Sequence, residues 1–172
     1  MSAIDILNTW SNFVRAYYFS CLIDCRGRSG GRVSAGRRMV RSDPLGFAIT
    51  LFRPSARPNS FGGWHRRDEP AWHDPYTLTH LAQQLSLSNE PDIRAAFSIG
   101  SRVFSDLPVF RNYFAHRNEN SLRAVVNLAA LNGVATRQRP WEMLVAVPLT
   151  RPQSLLLDWV DDLLFTAEYL CD

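Results

Sequence analysis

Three times along this chain a short polar residue leads into proline at the head of an apolar-periodic stretch: Asp43-Pro44, Asp74-Pro75 and Asn89-Glu90-Pro91. Asp or Asn caps the free N–H groups of a helix start, and proline is tolerated in the first turn, where its missing N–H costs nothing. The pattern commits much of the chain to short helices with punctuated beginnings. Around them, apolar residues recur at three- and four-residue spacing. Ile4, Leu7, Trp10, Phe13, Val14, Tyr17 and Cys21 predict a helix over 4–22. Leu45 to Phe52 leans to helix, and Leu78, Leu81, Ala82 and Leu85 continue the Asp74-Pro75 opening to about Leu87. Ile93, Ala96, Phe97 and Phe104 predict a helix over 91–104, with Asp106 capping a further start at Leu107. Asn118-Glu119-Asn120-Ser121 is a turn and cap for a helix over 121–131 that ends near Asn132-Gly133. Residues 143–149 read as a short extended segment. A last helix runs from Thr150 to Leu170, with Leu156, Val160, Leu163, Ala167 and Leu170 inward. The expected fold is a mainly α bundle, one domain over 1–172, with a loop-rich insertion at 25–73.

The insertion is unusual in charge. Every one of the 19 basic residues is Arg. Between Cys25 and Arg67 ten of them accompany one acid, Asp43, a net charge of +9 on a remainder that is net −6. A basic segment on an acidic body fits a polyanion or an acidic partner surface, and guanidinium forks match phosphate oxygens. The run from Arg26 to Arg41, with its Gly and Ser, reads as a flexible loop, and 53–74 as a long Pro- and Trp-rich loop. Trp64 and Trp72 amid Arg57, Arg66 and Arg67 read either as loop anchors or as base-stacking groups.

No apolar run reaches the length of a membrane span. The start Met1-Ser2-Ala3-Ile4-Asp5 lacks the basic and apolar regions of a signal peptide, which points to the cytoplasm. The cysteines, Cys21, Cys25 and Cys171, read as reduced thiols. His65, His73 and His80 lie at no recognised metal-ligand spacing, so neither metal nor cofactor is expected.

Chemistry concentrates in Arg111-Asn112-Tyr113-Phe114-Ala115-His116. A permanent cation, an amide and a titratable imidazole within a turn and a half can hold a phosphodiester and move a proton near neutral pH. On a helix Asn112 and His116 share a face, and the long stem of Arg111 can swing its fork toward them. Arg117, Arg102, Arg37 and Arg38 are candidates for RNA phosphates. A second pairing, Arg67-Asp68 with His73, contains Pro70 and falls in irregular chain.

The hexapeptide resembles the Arg-x(4–6)-His signature of the HEPN superfamily, in which a polar residue typically follows the Arg. The resemblance rests on those six residues, and the helical layout over much of 74–170 is compatible with it. It implies a small helical bundle and a metal-independent endoribonuclease of the toxin–antitoxin or antiphage kind. It further implies a homodimer whose two motifs build one cleft, with Arg111, Asn112 and His116 as its catalytic residues. The rival expectations are a non-catalytic module that binds RNA or a nucleotide, and an interaction subunit of a defence complex.

Overall fold

The computed structural model describes residues 2–23, 25–36, 43–134, 139–149 and 151–172. Among these residues the regular structure is helical, with two isolated β-bridges, Arg26 with Arg32 and Ala35 with Leu87. The helices are α1 (Ala3–Leu22), α2 (Pro44–Phe52), α3 (Pro75–Leu85), α4 (Glu90–Phe97), α5 (Val103–His116), α6 (Glu119–Leu131), α7 (Pro140–Val145) and α8 (Leu155–Cys171). None of them is long and apolar enough to cross a membrane. The chain divides into two compact units, Met1–Trp10 with Gly100–Glu168 and Ser11–Ile99 with Tyr169–Asp172.

In the first unit, α5 packs on α6 and α6 on α7. The apolar stripes meet: Leu107 and Phe110 of α5, Val125 and Ala129 of α6, and Leu155 and Trp159 of α8 are all buried. Phe110 meets the Trp159 ring edge-on with centroids 5.5 Å apart. In the second unit α3 packs on α4. Leu78, Leu81 and Leu85 of α3 and Ile93 of α4 are fully enclosed.

The two Asp-Pro openings act as read, whereas Asn89 precedes α4 without a side-chain cap, its amide donating instead to the Tyr17 hydroxyl at 2.8 Å. Asp43 Oδ1 accepts the Gly46 N–H at 2.8 Å. Its Oδ2 accepts the Trp64 indole N–H at 3.0 Å, so the same carboxylate caps α2 and anchors the Trp-rich loop. Trp72 is buried and donates to Glu69 at 2.8 Å, and Glu69 also binds Arg15 at 2.8 Å. Trp72, buried and hydrogen-bonded, is a loop anchor, and Trp64 is half-buried on the Asp43 carboxylate. Replacing Asp43 with Ala removes a cap and leaves the Trp64 N–H without its carboxylate. The expected cost is about 1–2 kcal/mol, read as a lower urea midpoint with unchanged slope.

Several boundaries differ from expectation. The helix over 91–104 is two helices, because Gly100 takes φ +75° between them and Phe104 belongs to the next element. Asp106 is not a cap. Helix α5 starts a turn earlier, at Val103, where the Ser101 hydroxyl accepts the Val103 N–H at 3.1 Å while donating to Asp162 at 2.5 Å. Pro108 thus lies inside α5, where it removes one helical hydrogen bond. Residues 143–145, read as extended, end helix α7, which opens with Pro140 and with the Glu142 carboxylate accepting the Arg139 N–H at 2.7 Å. Helix α8 begins at Leu155, not Thr150, and buries Leu155, Trp159 and Thr166 beside Leu163 and Leu170. Leu156, Val160 and Ala167 are only half-buried.

The Arg-rich stretch is not free chain over its described part. The Gly27 N–H donates to Gly31 O at 2.8 Å and the Val33 N–H to Cys25 O at 2.9 Å, which folds 25–33 into a closed turn. Arg26, Arg28 and Arg32 project from it, exposed.

Candidate active site

The hexapeptide Arg111–His116 forms the C-terminal turn and a half of α5. Its placement follows from the residue before it: Phe110 is fully buried, so the residues that follow are carried outward on the same rigid helix. Arg111 is half-buried, while Asn112 and His116 are exposed. The Arg111 Nη1 donates to Asn112 Oδ1 at 3.3 Å. The guanidinium therefore crosses the ~100° that separates adjacent helical positions and comes to the face that Asn112 shares with His116. One helical surface thus presents cation, amide and imidazole together.

Tyr113 and Phe114 are half-buried and meet edge-on at 5.4 Å, giving that surface an aromatic flank. His116 makes no ion pair or hydrogen bond to the polar residues that follow. Asn118 is instead the N-cap of α6 and accepts the Ser121 N–H at 2.8 Å, and Glu119 pairs with Arg123 at 3.1 Å. Among the described residues the imidazole nitrogens have no hydrogen-bond partner.

Between the helices stands Arg117, with φ 44° and ψ 41°, its N–H donating to Tyr113 O at 2.7 Å. This left-handed C-cap ordinarily falls to glycine, because a side chain there is strained by about 1 kcal/mol. An Arg at such a position carries charge at a conformational cost. Arg117→Gly is expected to raise stability by roughly 1 kcal/mol, read as a higher midpoint of thermal unfolding.

Arg102 does not join this group within one chain. It lies just before α5, whose 14 residues put about 20 Å between the helix ends. Its Nε is 3.5 Å from Asp106 Oδ2. Asp106 is almost fully buried and also takes the Ser105 hydroxyl at 2.9 Å and the Asn132 amide at 3.2 Å. Asn132 Oδ1 receives Arg151, which pairs with Asp158 at 2.7 Å. The network ties the start of α5 to the end of α6 and the start of α8. Sequence reading missed it, since an Asp in front of Leu-Pro looks like an ordinary cap. Asp106→Ala leaves the Asn132 amide with only the Leu128 carbonyl as acceptor and should lower stability by about 1–3 kcal/mol without touching the hexapeptide, a loss measurable by denaturant unfolding.

Arg37 and Arg38 lie outside the described residues. The second pairing is unlike the first: Arg67 sits in a single 3₁₀ turn, Arg66–Asp68, and Asp68 is 3.4 Å from Arg53. Among the described residues no group of three or more His, Cys, Asp or Glu is placed to hold a metal ion.

Comparison with models of known families, with curated proteins and with solved structures finds no match to this chain. The functional reading therefore rests on its own residues and on the likeness of the hexapeptide to the HEPN signature.

Proposed function

We propose that this chain is a HEPN-type endoribonuclease, a toxin or antiphage effector of the cytoplasm, that cleaves RNA as a homodimer without a metal. The observation that carries the reading is the single exposed face at the end of α5, where the Arg111 fork is drawn onto Asn112, one turn from the open imidazole of His116. RNA brings its own nucleophile. His116 takes the proton of the ribose 2′-hydroxyl, the 2′-oxygen attacks phosphorus, and the bond from phosphorus to the 5′-oxygen breaks. The leaving oxygen takes a proton from the His116 of the second copy, giving a cyclic phosphate and a 5′-hydroxyl. Arg111 binds the non-bridging oxygens, where negative charge builds. Asn112 holds the fork in place and can hydrogen-bond the substrate. Incubation of purified protein with RNA in EDTA, with end-group analysis of the products, tests the reaction. Absence of cyclic phosphate ends the proposal.

One observation favours a second reading. Among the described residues His116 has no hydrogen-bonded group to orient its ring, as acid–base histidines usually do. On this reading the same face holds RNA or a nucleotide without cleaving it, alone or as a subunit of a defence complex. It predicts salt-dependent binding and intact RNA after long incubation.

A further inference from the structure

The second unit gathers all the cysteines of the chain. Cys25 and Cys171 line one cavity of about 310 Å³ whose walls include Phe13, Tyr17, Val33 and Leu170. Cys21 lies behind it, fully buried, and all three are free thiols. The main chain fixes the two lining cysteines from both sides. The Arg28 N–H donates to Cys171 O at 2.7 Å and the Ser29 N–H to Asp172 O at 3.3 Å. The Ser29 hydroxyl also bonds Asp172 O. A Cβ on Gly27 would lie 2.7 Å from Asp172 O, so the end of the chain seats directly on this glycine. The Cys25 carbonyl is held in turn by Val33. Cys171 and Asp172 are thus clasped by the closed turn that carries Cys25.

We propose that Cys25 and Cys171 form a thiol–disulfide modification site that takes a low-molecular-mass disulfide of the glutathione class and closes to an intrachain bond. The thiolate of one cysteine attacks a sulfur of the small disulfide. That S–S bond breaks, leaving a mixed disulfide and one small thiol. The other cysteine attacks the protein-side sulfur and expels the second small thiol. Two electrons pass from the cysteine pair to the oxidant, and the two protons end on the released thiols.

Burial, then Asp172, then Cys25 raise the pKa of Cys171, so the charge of one thiol is felt by the other. Cys171 is exposed and within reach of a small oxidant. Cys21 is a poor competitor. Its sulfur is enclosed 4.0 Å from the Asn89 amide nitrogen, and burial, with Cys25 next, pushes its thiol up to about 12. Almost none of it is thiolate at neutral pH, and the thiolate is the nucleophile.

The test treats the full chain with oxidised glutathione and maps disulfides by mass spectrometry of a non-reducing digest. A peptide joined through Cys25 and Cys171 is expected, with an unfolding midpoint raised by ~5 °C or more that dithiothreitol reverses. Cys21→Ser should leave both unchanged, and Cys171→Ser should abolish both. A Cys21–Cys25 bond, a persistent glutathione adduct, a disulfide-linked dimer or three unreacted thiols would each overturn the proposal. The mapping in the unmutated chain stands even if a variant fails to fold, and no RNA enters the readout, so the outcome is independent of the ribonuclease reading.

Discussion

His116→Ala should lower RNA cleavage in EDTA by at least 100-fold, with helix content and unfolding midpoint unchanged. General acid–base catalysis by one side chain contributes about 10²–10⁴-fold, and in the proposed dimer each substitution removes both base and acid. The stability expectation follows from exposure: the ring has no partner among the described residues to lose. Arg111→Ala should lower the rate by about as much, since an electrostatic donor to the developing charge is worth roughly 10²–10³-fold. Arg111→Lys should restore little, because an ammonium lacks the fork that reaches Asn112 and two phosphate oxygens together. A rate that survives both alanine substitutions would remove the hexapeptide from the chemistry. Binding retained with no turnover in the unmutated chain would select the non-catalytic reading instead.

The largest loss of stability is expected at Phe110, directly before the hexapeptide. It is fully buried and meets Trp159 edge-on at 5.5 Å. Phe110→Ala removes a ring from a packed interior and should cost about 3–5 kcal/mol. In a chain of this size that is a fall of ~10 °C or more in the unfolding midpoint. Because the same residue anchors the end of α5, cleavage by the surviving folded fraction should fall too. Phe114→Ala is the control: the ring is half-buried and should cost less than half as much. A Phe110→Ala variant as stable as the parent would mean that the face carrying Arg111 and His116 is not held by the core.

Much of the helical layout was legible because its signals are local. An Asp before Pro caps a helix through the next few residues of its own chain, and the α2 and α3 starts came out where read. The Asn118 cap is equally local, and it delimits the hexapeptide on its C-terminal side. Misreadings fell where distant groups decide or where a short apolar run is ambiguous. Nothing near Asp106 announces that Asn132 will share its carboxylate, so the start of α5 was placed a turn late. Residues 143–145 looked extended because apolar runs of that length are ambiguous; the helix is set by Pro140 and Glu142 just upstream. The likeness of the hexapeptide to a known signature and the helical face shared by Asn112 and His116 were visible in the chain alone, whereas the exposure of that face was not.

What the amino-acid order determined by itself is the mainly helical class, the proline-marked helix starts and the identity of the reactive groups, all properties of residues within a turn or two of each other. Only the tertiary structure decided what distant segments bring together. It buried Asp106 against Asn132 and placed Cys171 and Cys25 on one cavity. Such meetings depend on packing between segments far apart in sequence, and no local periodicity encodes them.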